Sequence, residues 1–254
     1  KNNFVTSLER ENLNIDKNTS LNNNALPMKP EYVDFSGLEN PPILTESIKL
    51  QRYYWSAIHE INNIKFIIDY LGLDVENLPS EWNKKGEFGK FDIPELVINL
   101  DKWREIIQLT PLKSPMRFAY VTSKYGWRKN EKTKKREFHH GTDFASTWRA
   151  NIRPTAQGRV IFAGKDGGFG NVVKIQHANN IVTVYAHLAK VSTQIGELVS
   201  ENMVIGNMGN TGRSRGAHLH YEIRIDGKPV DPEKFLNVGH QISITGNIPR
   251  HFSF

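Results

Sequence analysis

The chain has 254 residues, 38% of them hydrophobic and 24% charged, with no cysteine and a formal net charge of +6. These totals fit a soluble-type globular composition with one large domain or two small ones. They exclude disulfides and leave histidine and carboxylate as the ligands of any transition-metal site. No apolar run approaches the roughly 20 residues of a membrane span. Charge is uneven: residues 1–110 carry 12 Lys+Arg against 17 Asp+Glu, and residues 111–254 carry 21 against 10. A basic half suits an acidic partner: nucleic acid, an anionic surface or a carboxylate-rich polymer.

The chain opens at Lys1 without a methionine, which reads as a mature or trimmed product and leaves room for a leader or membrane anchor upstream. Residues 1–24 are rich in Asn, Lys and Ser/Thr, and Pro27, Pro30, Pro41 and Pro42 follow. Residues 1–44 therefore read as a flexible N-terminal arm ending in an extended connection. From Thr45, the residues Ser47, Leu50, Tyr54, Ala57, Ile61, Ile64, Ile68 and Leu71 keep steps of three and four, and Gly72 supplies a stop. This predicts a helix with one continuous seam. Asp92 and Pro94 stand where a cap and a first-turn proline belong, opening a second helix to about Leu109. Residues 45–110 thus form either a helical hairpin, the preferred reading, or a short coiled coil with a partner chain.

Beyond about residue 110 the period changes to short β-like runs broken by glycine. Gly158–Gly164, Asn171–His177, Ile181–His187 and His218–Ile225 read as strands, with Ala178-Asn179-Asn180 as a hairpin turn. The expected fold class is α+β: a mostly antiparallel sheet domain over 111–254, including a C-terminal tail, preceded by the helical segment.

Histidines carry the chemistry. One motif is His139-His140-Gly141-Thr142-Asp143, a second is His218-Leu219-His220, and Tyr185-Ala186-His187-Leu188 lies between them. If the first motif is extended, His139, Gly141 and Asp143 share a face and His140 points away. That makes His139 and Asp143 a ligand pair with Gly141 leaving room for the ion. On the same rule His218 and His220 share a face; both bind metal, or one binds while the other moves protons. His59, His177, His240 and His251 have no such company and read as structural or exposed.

These motifs resemble those of the lysostaphin-like, or LytM-type, zinc endopeptidases that cut peptide cross-links in peptidoglycan. The family's His-x-Gly-x-Asp and His-x-His stand here at 139–143 and 218–220. Ser123-Lys124-Tyr125-Gly126-Trp127-Arg128, Gly167-Gly168-Phe169-Gly170-Asn171, Gly209-Asn210-Thr211-Gly212-Arg213-Ser214 and Gly227-Lys228-Pro229-Val230-Asp231-Pro232 match its surrounding text. The likeness covers about residues 112–237. It implies one Zn2+ held by His139, Asp143 and His220, with His187 and His218 as catalytic histidines beside the attacking water. It also implies an open sheet with the site in a groove between loops.

The implied substrate is the stem peptide of peptidoglycan, with the D-alanyl–diaminopimelate link favoured. Asn171, Arg213 and Arg215 are the candidate substrate-binding residues, and Lys165 joins the two arginines as a cation at the rim. The implied location is the periplasm or cell envelope, with an inner-membrane anchor upstream of Lys1. The 45–110 helices would contact an envelope partner or the enzyme domain itself. The alternative is a non-catalytic LytM-type factor that binds peptidoglycan or activates an amidase. Such factors usually lack the ligands this chain keeps. The basic run Lys132, Lys134, Lys135 and Arg136 has no nucleic-acid motif around it, so nucleic acid is not an expected partner.

Overall fold

A computed structural model describes residues 46–73, 93–129 and 134–245. The arm expected over 1–44, Lys132 of the basic run and His251 lie outside these residues. Helix α1 (Glu46–Leu71) and helix α2 (Ile93–Leu109) pack against each other as a hairpin. Gly72 ends α1 at φ 70°, which places its own N–H on the Asp69 carbonyl and the Leu73 N–H on that of Ile68. Glycine reaches this left-handed conformation without a Cβ penalty.

The apolar stripe of α1 is shorter than its sequence suggests. Ala57, Ile58, Ile61, Ile64, Ile67, Ile68 and Leu71 are buried, whereas Leu50 is 49% exposed. The reason is length. Arg104 of α2 pairs with Glu60 at 2.7 Å and Trp103 lies under the Lys65 ammonium. That register leaves the first turns of α1 with no residue of the 17-residue α2 opposite them.

Among the described residues thirteen strands follow in chain order: β1 Tyr120–Ser123, β2 Gly126–Lys129, β3 Arg136–His139, β4 Thr142–Ala145, β5 Asn151–Ile152, β6 Gly158–Asp166, β7 Gly170–Gln176, β8 Ile181–Leu188, β9 Lys190–Val191, β10 Leu198–Val199, β11 Gly206–Asn207, β12 Leu219–Ile225 and β13 Lys228–Val230. Helix α3 (Pro232–Thr245) comes last. The main sheet runs β1-β4-β12-β8-β7-β6-β10, with β13 on β12, and every pairing is antiparallel. β2 and β3 form a separate hairpin, and β5, β11 and β9 a small third sheet. Asn179 and Asn180 both adopt φ 54° in the β7–β8 turn. Two successive left-handed residues match the twist of flanking strands, and asparagine tolerates them.

One hydrophobic cluster runs from Ile64 and Trp103 through Leu112 and Met116 to Ile175, Tyr185, Tyr221 and Phe235. The helices and the sheet therefore share a core. Its tyrosine hydroxyls are hydrogen-bonded: Tyr185 Oη sits 3.0 Å from Thr183 Oγ1 and accepts the Thr155 N–H at 3.0 Å, and Tyr221 Oη lies 2.9 Å from Thr155 Oγ1. His177 belongs to this network, 2.8 Å from the Gln157 carbonyl and 2.7 Å from Thr183 Oγ1. Burial lowers its pKa to about 4, against the smaller opposing effect of the Gln157 carbonyl.

Candidate metal centre

Three strands bring three donor atoms to one point. His139 ends β3, Asp143 lies in β4, and His220 sits directly opposite Asp143 on β12. His139 Nε2 is 3.1 Å from Asp143 Oδ1 and 3.1 Å from His220 Nδ1, and the latter is 2.8 Å from Asp143 Oδ1. All three residues are buried. Among the described residues this is the one cluster of at least three His, Asp or Glu whose ligand atoms lie within 4.8 Å of one another.

The route to this geometry differs from simple alternation. The segment 139–143 is not one strand: β3 stops at His139 and β4 starts at Thr142, in different sheets. Gly141 makes the break between them. A Cβ there would lie 2.4 Å from the Tyr221 carbonyl oxygen and 2.9 Å from His220 Cε1. Glycine is therefore required by the close approach of β12, not to leave space for an ion. His140 points away from the cluster and is exposed.

Each histidine has its second ring nitrogen tied down. His139 Nδ1 is 2.8 Å from the Lys124 carbonyl, which leaves Nε2 free to bind. His220 Nε2 is 3.0 Å from Glu222 Oε1, which leaves Nδ1 free. Partners of this kind set the tautomer and raise the basicity of a ligating imidazole. Glu222 is 2% exposed and is held in turn by Arg224, whose Nε reaches Oε2 at 2.7 Å.

The charges respond to one another. Burial opposes ionisation of Asp143, but hydrogen bonds and charge from His139 and His220 outweigh it and hold the carboxyl well below the usual range. Burial likewise opposes protonation of His220, yet Asp143 and Glu222 lift it to about 9. Glu222 stays low despite its burial, because His220 and Arg224 favour the anion. A pocket this strongly biased toward positive charge suits a cation in place of the shared proton. Two imidazoles and one carboxylate, each oriented by a neighbour, suit one zinc ion and leave a fourth position open.

His187 and His218 flank this cluster. Their ring centroids are 4.8 Å apart, and His187 is 5.8 Å from His220. His218 Nε2 lies 3.7 Å from Asp143 Oδ1. The Nδ1 of His187 is 2.8 Å from the Thr211 carbonyl, and the Nδ1 of His218 is 2.8 Å from that of Gly216. With Nδ1 bonded to a carbonyl in both, the free lone pair is on Nε2. One loop, 209–216, thus orients both rings. The Thr211 hydroxyl fixes that loop, accepting the Asn171 N–H and donating to the Leu188 carbonyl, both at 2.9 Å.

Two details depart from strand alternation. His218 precedes β12 and is bound to Gly209 by an isolated bridge, so it does not share a regular strand face with His220. His187 adopts φ 61°, which turns its side chain out of the alternation of β8. Tyr185 consequently does not accompany it and belongs to the core network.

The other sequence candidates lie on neighbouring loops. The Asn171 amide donates to the Leu188 carbonyl at 3.1 Å. Arg213 and Arg215 are exposed on the 209–216 loop, and the Arg213 N–H binds the Gly168 carbonyl at 2.8 Å. Lys165 is exposed near the end of β6. Sequence reading missed Glu222 and Arg224. Their signal was the period of two in β12, which sets His220, Glu222 and Arg224 on one face.

Residues 137–232 match Peptidase family M23. Among curated relatives, the chain is 42% identical over 118 residues to DD-carboxypeptidase/endopeptidase Mpg of Neisseria meningitidis serogroup B, covering 46% of this chain and 27% of that protein. It is 36% identical over 137 residues to peptidoglycan DD-endopeptidase ShyA of Vibrio cholerae, covering 54% and 31%. The chain therefore spans only about a third or less of the length of these relatives. Among solved structures, a zinc-containing peptidase from Vibrio cholerae superposes with a TM-score of 0.42 at 35% identity, over 49% of this chain and 38% of that one.

Proposed function

We propose that this protein is a zinc-dependent endopeptidase that hydrolyses peptide cross-links of peptidoglycan, with the D-alanyl–diaminopimelate bond as the favoured link. The observation that supports this most is the meeting of His139, Asp143 and His220 beside two further histidines whose Nε2 lone pairs are free. The names of Mpg and ShyA, a DD-carboxypeptidase/endopeptidase and a peptidoglycan DD-endopeptidase, support the bond type. Such a substrate puts the protein in the cell envelope.

In this reading His139, Asp143 and His220 hold the ion. When bound, zinc supplies Lewis acidity and makes water a competent nucleophile near neutral pH. His218 Nε2, close to Asp143, takes a proton from the attacking water and returns it to the departing amine. His187, kept neutral-leaning chiefly by burial, offers its Nε2 lone pair as a hydrogen-bond acceptor to the attacking water. Its Nδ1 bond to the Thr211 carbonyl prevents ring rotation during that step. The exposed cations Arg213 and Lys165 draw in the carboxylates of stem peptides.

Mass spectrometry of muropeptides released from purified sacculi tests the proposal. Zinc-loaded protein should release species cut between D-alanine and the diamino acid, and a chelator should stop release. Intact cross-links after incubation with zinc would refute it.

A further inference from the structure

The β2–β3 hairpin carries His139 on one face, and its other face is built for a ligand. On the inner face Arg128 stands opposite Glu137 in register and binds it at 3.1 Å. Among the described residues the outer face has no such match. There Trp127 pairs with Phe138, and Lys129 pairs with Arg136. Like charges directly opposite on a hairpin destabilise it, so the Lys129–Arg136 pair calls for an anion.

The aromatic part is a continuous ladder. Phe138 meets Tyr125 edge-on at 5.1 Å, Trp127 edge-on at 5.4 Å, and His140 at 5.2 Å. Arg136 lies 5.3 Å from the Trp127 ring. Trp127 nonetheless remains 64% exposed. Single exposed apolar residues are ordinary, but a tryptophan already locked by neighbouring rings and a cation is a preorganised stacking surface that loses little entropy on binding.

We propose that this face binds the glycan strand of peptidoglycan: a sugar ring stacks on Trp127 while carboxylates of the attached stem peptide meet Lys129 and Arg136. The inference rests on the endopeptidase reading and deepens it. The hairpin is one wall of the site, since His139 follows Phe138 directly and faces inward. An extended peptide of about four residues reaches at most ~14 Å, enough to cross one hairpin from an outer platform to the metal cluster. Pyranose chairs with apolar C–H faces and carboxylates nearby match aromatic rings flanked by cations.

The full chain is used for the test. Co-sedimentation with purified sacculi in a chelator reads binding without turnover. Trp127→Ala should weaken binding about 10-fold, and Trp127→Tyr should stay within about 2-fold of wild type. Peptide-free glycan should compete. Cleavage of a zinc-loaded, sugar-free cross-linked peptide should be the same for wild type and Trp127→Ala.

Unchanged sedimentation of Trp127→Ala overturns the platform, as does competition by free stem peptides alone. An equal loss on the sugar-free peptide also overturns it, because Trp127 would then only hold the hairpin. Trp127-dependent retention of single-stranded nucleic acid, with sacculi bound normally, overturns it too. If wild type binds sacculi through Trp127 but cleaves no peptide, the platform stands and the endopeptidase reading falls.

Discussion

His220 Nε2 lies 3.0 Å from Oε1 of Glu222, a carboxylate only 2% exposed. The imidazole that offers Nδ1 to the metal cluster is therefore backed by a buried anion, itself braced by Arg224. Replacing Glu222 with glutamine should lower zinc affinity by about 10- to 100-fold, the usual cost of losing such a partner. Competition with a chromophoric chelator measures it. Equal affinity in the two proteins would show that the contact does not tune the ligand.

His220→Ala should lose both metal and hydrolysis. His218→Ala should keep the metal and lose turnover by about 10²- to 10⁴-fold, the range expected for a positioned acid–base group. Metal analysis of both purified variants separates the two roles. A metal-free His218→Ala would move that residue into the ligand set.

Gly141→Ala should act on stability and metal together. Its Cβ would fall 2.4 Å from the Tyr221 carbonyl oxygen, so β12 or the β3–β4 link must move. Overpacking of this kind costs about 1–3 kcal/mol. Thermal unfolding should show a lower Tm, and metal content should fall because the shift separates Asp143 from His220.

Acid should weaken the fold through His177. Its folded pKa, about 4, is below the ordinary 6.5. Below pH 6.5 the unfolded chain binds a proton that the folded chain refuses, so stability falls as pH drops from about 6.5 to about 4 and then levels off. The loss is on the order of 3 kcal/mol. His177→Gln should flatten this part of the curve of Tm against pH, even if it lowers Tm at pH 7. A parallel curve would assign the acid sensitivity to other groups.

Much of the site was legible because its residues lie in short motifs. Spacing singled out His139 with Asp143 and His218 with His220 as candidates, while His187 and the division of roles came from the resemblance. The pairing of His139 with Asp143 was found by assuming a strand, although a turn at Gly141 actually joins two sheets. What sequence hid is non-local. The carbonyls of Lys124, Thr211 and Gly216 that orient three imidazoles have no side-chain identity to read. The seam of α1 was overextended because its far end depends on how long α2 is, a property of a different segment. Glu222 was within reach, since it follows His220 by one strand period, but a buried carboxylate is recognised only once Arg224 and His220 are seen to enclose it.

In the left-handed backbone at His187, a side chain other than glycine is strained by about 1 kcal/mol. His187→Gly would relieve that strain but also remove a buried ring and its 2.8 Å bond to the Thr211 carbonyl, so the protein should melt no later than wild type and barely turn over. The strained conformation persists only because that bond and the packing around the ring hold it, so a change that loosens the 209–216 loop should disturb His187 before it disturbs the metal ligands.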